Sequence, residues 1–446
     1  MKSRDFDTTV LFGEDIYENG IPAYTADYRN NPLLVFPGNN CKPFGFNEWS
    51  ASRHLLTLGG IGTGKTNVFN FMIEKILRDM TDDDVVVIFD TKGDFHDNFY
   101  EPDNPNHIVI GNHPKYIDET SYWNIFDDLR NSKGEFDHQS GLILKEMTFQ
   151  FFEGQKSEMQ PFFANAARAL VNLVIEDDIN YSPVLNNKIL VDHLRNYTHK
   201  DYLEVIGRSD DRSAVNYIGA NPNSTANQSL GVLGTIGAMV DTLFANTIFE
   251  QSHSSRNISM RKLIREKGSK VIFIEYDLSV GETLGPIYSI LLDLVFKEAL
   301  SREKKQGNVY CFIDEFKLLP QLKHIDDALN FGRSLGIKMF CGLQSVNQII
   351  DNYGEAKAKA MLSGFRNVFA FNVDDSESRQ FIKERFGQTF VSVSYRPFGE
   401  TTTLQREGYV VEDWDIVGLE TGQAFVKMDG QAPFYFPFLN FNEDHY

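Results

Sequence analysis

Two stretches of this chain carry residue types suited to phosphate chemistry. Gly59-Gly60-Ile61-Gly62-Thr63-Gly64-Lys65-Thr66 is a complete G-x-x-x-x-G-K-[ST] loop. Glycines at such spacing let backbone N–H groups point at phosphate oxygens, beside a helix N-terminus that favours anions. Lys65 would reach the β- and γ-phosphates and Thr66 would ligate Mg²⁺. Far downstream, Val309-Tyr310-Cys311-Phe312-Ile313 runs into Asp314-Glu315. There Asp314 would hold Mg²⁺, directly or through water, and Glu315 would polarise an attacking water as general base. Each signal has a bland alternative, a loop for some other anion and an acidic strand end that starts a turn. Together they point to ATP hydrolysis, and the Asp-Glu pair favours a motor-type ATPase over a nucleotide switch that positions water with Gln.

Two further polar residues stay open on spacing alone. Gln344, in Gly342-Leu343-Gln344-Ser345, could sense the γ-phosphate or cap the following helix. Arg333, in Phe331-Gly332-Arg333-Ser334, could be an arginine finger for a neighbouring subunit or a cation at a helix C-terminus. Asp90-Thr91-Lys92-Gly93-Asp94 closes an apolar strand, where α/β sheets bind ligands, or makes a solvated turn. Lys357, Lys359, Lys383 and Arg385 could touch DNA phosphates; such residues more often make ordinary solvated faces.

These groups need a scaffold, and the hydrophobic pattern supplies one. His54–Leu58, Val85–Asp90, Val271–Glu275, Val309–Asp314, Lys338–Leu343 and Asn367–Phe371 read as strands, apolar enough to be covered on both faces. Helical spacing over Asn67–Met80 and Leu284–Leu300 alternates with them, which argues an open, mostly parallel α/β sheet. Between about residues 136 and 260 the pattern turns helical, with candidates at Leu142–Phe152, Phe162–Ile175, Val191–Ile206 and Gln228–Leu243 and a loop at Asn221-Pro222-Asn223-Ser224. We divide the chain into an N-terminal segment of short strands and loops (1–50), a nucleotide-binding domain in two parts (51–135 and 261–446), and an all-α insertion (136–260). The β-branched tail after Gly387 reads as antiparallel strands at a sheet edge.

Composition bounds the partners. With 446 residues, 42% hydrophobic and 24% charged, the chain has ample core material. A net charge of −19 argues against broad non-specific nucleic-acid binding, though not against a ring whose basic groups line only a channel. Of the three cysteines, Cys41, Cys311 and Cys341, the last two lie in apolar runs and read as buried reduced thiols, and no C-x-x-C spacing suggests zinc. No window reaches the ~18 apolar residues of a membrane span, so the chain reads as cytoplasmic, or as the soluble partner of a membrane complex.

The ordered motifs resemble the conjugative coupling proteins of type IV secretion systems, of the TraD/TrwB type, within the FtsK/HerA group of ring translocases. Arg53-His54-Leu55-Leu56, Asp90-Thr91-Lys92-Gly93-Asp94-Phe95, Phe312-Ile313-Asp314-Glu315-Phe316, Gly332-Arg333-Ser334-Leu335-Gly336, Gly342-Leu343-Gln344-Ser345 and Tyr353-Gly354 carry the likeness. The resemblance implies a RecA-like P-loop NTPase domain and a homohexamer. It implies ATP-driven movement of DNA through a channel, with relaxase and other type IV secretion components as partners. It places the arginine finger on Arg333, the phosphate sensor on Gln344, and a nucleotide or interface contact on Arg53. Two features depart from the family pattern: Thr91 stands where proline is usual, and no transmembrane helices precede the motor. The second leaves room for a separate membrane-anchor subunit. It also leaves room for a HerA-like DNA-processing or defence role, or for an ATPase that delivers or remodels protein substrates.

Overall fold

The structure is a computed structural model that describes residues 6–16, 32–152, 161–210, 212–219, 227–245, 248–249, 256–302, 305–319, 321–395 and 402–444. Its centre is a nine-stranded sheet. In chain order the strands are β1 (Leu55–Leu58), β2 (Val85–Asp90), β3 (His107–Gly111), β4 (Lys270–Glu275), β5 (Val309–Ile313), β6 (Ile337–Leu343), β7 (Asn367–Ala370), β8 (Gln423–Lys427) and β9 (Phe434–Pro437). In space they run β9-β8-β7-β1-β6-β5-β2-β4-β3. The first seven pair in parallel; β8 and β9 add antiparallel at one edge. The tail thus supplies the expected antiparallel edge, while Gln388–Tyr395 and Thr402–Tyr409 join Phe6–Gly13 in a separate three-stranded antiparallel sheet. The strand β3 was missed: five residues, His-Ile-Val-Ile-Gly, are too short a run to separate from a loop by periodicity.

The apolar runs are continuous because successive residues feed two cores. Val85, Val87 and Phe89 point to one face, with Ile272, Ile274, Cys311 and Ile313. Val86 and Ile88 point to the other, with Phe273, Tyr310 and Phe312. The first face is covered by the long helix Gly281–Leu300 and the helices of the insertion. The second is covered by the helix Lys65–Asp79 and a hairpin, Leu34–Gly38 with Cys41–Phe46. That hairpin gives the N-terminal segment a role: Phe36 and Phe44 stack at 4.8 Å and meet Phe369 of β7 and Phe436 of β9 edge-on. Aromatic pairs of this kind add about 0.5–1.5 kcal/mol each beyond area burial, which fastens the antiparallel edge to the parallel sheet.

Between residues 124 and 256 the described residues form helices, among them His138–Phe151, Pro161–Tyr181, Asn187–Asn196, His199–Arg208 and Asn227–Leu243. The expected single helix over Val191–Ile206 is two. Tyr197 is extended (φ −62°, ψ 125°), and Thr198 and Asp201 form a capping box that starts a new helix. Apolar periodicity continues across the break, so it hid the boundary. The loop at 221–224 lies outside the described residues.

The insertion joins the sheet through a neck in which Tyr122–Trp123 pairs in parallel with Asn257–Ile258. Asp128, fully buried, holds that neck. Its carboxylate accepts from Trp123 Nε1 (2.7 Å), Ser259 Oγ (2.7 Å), Met260 N (3.1 Å) and Arg261 N (2.8 Å). Burial pushes its pKa up against these bonds. Arg261 in turn pairs with Glu298 of the long helix at 2.8 Å. Asp128→Ala would strand four buried donors, so unfolding in urea should show a loss of at least about 4 kcal/mol, at about 1–3 kcal/mol for each unsatisfied group.

Candidate functional site

Parallel pairing sets Leu58, Leu343, Ile313, Asp90 and Glu275 along one carboxyl edge. The phosphate loop leaves β1 at that edge. Gly59 N donates to Leu343 O (3.0 Å), Gly60 N to Asn372 O (2.8 Å), and Thr63 Oγ1 to Gly60 O (2.9 Å). Gly64 has φ +116°, which a side chain would resist, and a Cβ there would come within 3.2 Å of Gly422 Cα. Gly422 N also donates to Thr63 O at 2.9 Å, so the turn before β8 backs the phosphate loop. Sequence reading missed this neighbour, and no local signal marks it.

Lys65 opens the helix Lys65–Asp79 and is buried. Its Nζ donates to Gly59 O (2.5 Å) and Gly60 O (2.8 Å), curling back over the loop. Burial lowers its pKa, while Glu315 and Asp314 act to hold it charged. Thr66 Oγ1 donates to Asp314 Oδ1 at 3.2 Å. Asp314 itself is buried, and desolvation with the Asp90 charge raises it to about 6. Glu315 accepts from Gln344 Nε2, and its Oε1 is buried without a hydrogen-bond partner; burial raises its pKa too. Gly342 lets β6 pass this point, since a Cβ there would lie 2.1 Å from Asp314 O.

Asp90 is the residue whose role the sequence left open, and the structure gives it one. Oδ1 accepts from Lys92 N (3.0 Å) and Gly93 N (2.9 Å), Oδ2 from Phe95 N (2.8 Å) and His96 N (3.2 Å). It therefore folds the turn after β2 and starts the helix Asp94–Phe99. Beside it in register is Glu275, unmarked by any motif. Burial and the Asp90 charge push Glu275 up to about 9, against a hydrogen bond with Tyr116. Asp314, Asp90 and Glu275 thus make a row across three adjacent strands.

The other candidates lie elsewhere. Arg53 precedes β1 and Arg333 precedes β6, at the amino edge, a strand length of roughly 13 Å from the chain's own phosphate loop at ~3.3 Å per residue. Arg53 pairs with Asp429 and lies 3.9 Å over the Trp49 ring. Arg333, in the 3₁₀ turn Gly332–Leu335, is exposed. All four cations considered for DNA are engaged within the chain: Lys357 over the Tyr353 ring at 5.0 Å, Lys359 with Glu355, Lys383 with Asp413, and Arg385 with Phe365 O. Cys311 and Cys341 are buried thiols, as their apolar runs implied, and Cys41 is an exposed one. No helix among the described residues is long and apolar enough to cross a membrane.

Chemically, the carboxyl edge offers a backbone cradle, a cation on the cradle, a hydroxyl–carboxylate pair and a second carboxylate poised by an amide. Two outcomes follow. Gly342→Ala should displace Asp314 and lower nucleotide turnover at least about tenfold, since a 1 Å misplacement can cost a hundredfold. Glu275 ionises near 4.5 when unfolded and near 9 when folded, so the fold loses stability as pH rises through that window. Glu275→Gln, neutral throughout, should flatten this slope; wild-type melting temperature should fall relative to the variant between pH 6 and 8.

Comparison with known proteins agrees with this architecture. The family described as the type IV secretion-system coupling protein DNA-binding domain matches residues 44–434. Coupling protein TraD of Escherichia coli (strain K12) is 24% identical over 319 residues, 70% of this chain and 40% of that protein. The probable conjugal transfer protein TraG of Sinorhizobium fredii (strain NBRC 101917 / NGR234) is 24% identical over 177 residues, 37% of this chain and 28% of that one. The chain therefore spans less than half the length of these curated relatives. Among solved structures, the bacterial conjugative coupling protein TrwBdeltaN70 in its unbound monoclinic form has a TM-score of 0.75 at 20% identity, covering 98% of this chain and 96% of that one. The plasmid coupling protein TrwB in complex with ADP and Mg²⁺ has a TM-score of 0.73 at 20% identity, covering 98% and 97%. These likenesses show the RecA-like fold interrupted by a helical insertion. With the family match running over most of its length, the chain belongs to the type IV secretion-system coupling proteins.

Proposed function

We propose that the chain is a Mg²⁺-dependent, ATP-hydrolysing ring motor that moves DNA in conjugative transfer. The observation that carries this reading is the set of buried Lys65, Asp314 and Glu315 with half-buried Thr66 at the carboxyl edge, and Arg53 and Arg333 at the opposite edge of the same sheet. A head-to-tail contact that brings one copy's amino edge to the next copy's carboxyl edge completes the site, and such a contact repeats into a ring; six copies is the number the family resemblance implies. TrwB has been solved with ADP and Mg²⁺ and with a non-hydrolysable ATP analogue.

The residues present fit such a ligand. The Lys65 ammonium rests on loop carbonyls until a phosphate draws it off, and Thr66 and Asp314 already touch. These two would hold Mg²⁺, which when bound neutralises phosphate charge. Glu315, with one oxygen held by Gln344 and the other buried and unpaired, is oriented to take a proton from water. Gln344 keeps the carboxylate in place and is near enough to report its state. Arg333 from a neighbour supplies the positive charge that the transition state needs.

DNA is the cargo that the family description points to. Relaxase and other secretion components are its partners. The net charge of −19 favours one competitor, an ATPase that handles protein cargo.

Glu315→Gln should bind ATP yet lower steady-state turnover by about a hundredfold or more, the usual worth of a positioned base; normal turnover would remove Glu315 from that role. Arg333→Ala should lose about a thousandfold in turnover with nucleotide binding intact, as for arginine fingers elsewhere. Added DNA should raise ATPase activity, with the effect fading as salt rises because phosphate contacts release counterions. Stimulation by a secretion-substrate protein without any response to DNA would select the competitor. Burial and the Asp90 charge raise the pKa of Asp314 to about 6, so proton and cation compete for its carboxylate and Mg²⁺–ATP affinity, read by titration with a fluorescent analogue, should weaken as pH falls toward that value.

A further inference from the structure

His54 is the residue in the Arg53-His54 motif that the motor reading leaves unused, and its setting is unusual. It adopts φ +58°, a left-handed conformation that a non-glycine residue holds only when its surroundings enforce it. The ring is buried between three elements. Nδ1 accepts from Met339 N of β6 at 3.1 Å, and Nε2 lies 3.0 Å from Leu329 O. A backbone N–H can only donate and a carbonyl can only accept, so the ring is the neutral tautomer with its proton on Nε2. Leu329 lies in the last turn of the helix Ile325–Asn330, where carbonyls lack a partner within the helix. Four residues on, that segment presents Arg333.

The same residue anchors the other arginine. The His54 carbonyl accepts from Asn367 N (3.3 Å) and Asn367 Nδ2 (2.7 Å), and the Arg53 carbonyl accepts from Arg366 N (2.9 Å). Asn367 Oδ1 accepts from Asp429 N at 3.3 Å, and Asp429 is the ion-pair partner of Arg53. One imidazole therefore ties the backbone that carries Arg53 to the helix that leads into Arg333, with β6 as the common wall. Arg333 is close enough that its charge helps keep the ring neutral.

We propose that His54 is a positioning residue for the intersubunit arginines, holding Arg53 and Arg333 in fixed relation at the edge offered to a neighbouring copy. This rests on the ring reading above. It acts on the neighbour's site and leaves the chain's own phosphate loop, at the far end of β1, untouched.

The test is a double-mutant cycle in the assembled protein. His54→Asn tolerates the left-handed backbone but is too short to bridge both partners; His54→Gln is longer and is measured beside it. Each variant should lower kcat about tenfold, leave affinity for a fluorescent ATP analogue within about twofold, and cause no further loss in an Arg333→Ala background, because coupled residues fail to add. Full turnover in both His54 variants overturns the proposal. An equal penalty with and without Arg333 also overturns it, because a structural role alone would behave that way, and so does failure of both variants to fold. If Arg333→Ala by itself leaves turnover unchanged, the ring reading has failed and His54 fails with it; if Arg333→Ala abolishes turnover and the cycle is additive, only the positioning role is lost.

Discussion

A parallel sheet has two unlike edges, and in this chain the distance between them governs everything else. Seven strands run one way, so every loop that can carry a strand-end carboxylate emerges on one side and every strand-start residue on the other. Lys65, Thr66, Asp314 and Glu315 share the first side; Arg53 and Arg333 share the second. A rigid sheet cannot bend to bring its own edges together. The cation at the amino edge is therefore available to another copy and not to its own phosphate loop, and this geometric fact underlies the proposed ring.

Desolvation is the second constraint. The carboxyl edge gathers Asp314, Asp90 and Glu275 side by side with little water, and like charges in that setting cannot all ionise cheaply. The structure resolves the conflict by giving each a different environment. Asp90 receives four backbone N–H bonds. Asp314 has Thr66, Lys65 and Lys92 to offset burial, and rests at about 6. Glu275, farthest from the lysine, is held up at about 9. Of the two shifted groups, Glu275 keeps its proton at neutral pH and Asp314, beside the phosphate loop, carries the charge.

Beside the apolar core that the sheet and the helical insertion share, buried polar contacts tie the two together at two places. Asp128 closes the neck. On the far side, the segment just after Glu315 is tied down by Asp293 of the long helix, which accepts from Lys323 N and His324 N at 3.0 Å each. His324 and Lys297 both meet Glu146 of the helix His138–Phe151, and these contacts hold the Glu146 carboxyl down at about 2.

The phosphate loop, the Asp314-Glu315 pair, six of the seven parallel strands and the helical character of the middle were legible in the sequence, because each is written in contiguous residues. A glycine at a left-handed position, a carboxylate after an apolar run and a 3.6-residue period need no distant partner to be recognised. Spatial strand order was not legible, since β1 sits between β6 and β7, its neighbours from the far end of the chain. So the row Asp314–Asp90–Glu275, the Gly422 turn behind the phosphate loop, the need for glycine at 342 and the placement of Arg53 away from its own nucleotide site emerge only from the tertiary structure. The sequence determined which chemistry the chain can perform; the sheet's strand order and its two edges decided which of those groups meet within one subunit and which must wait for another.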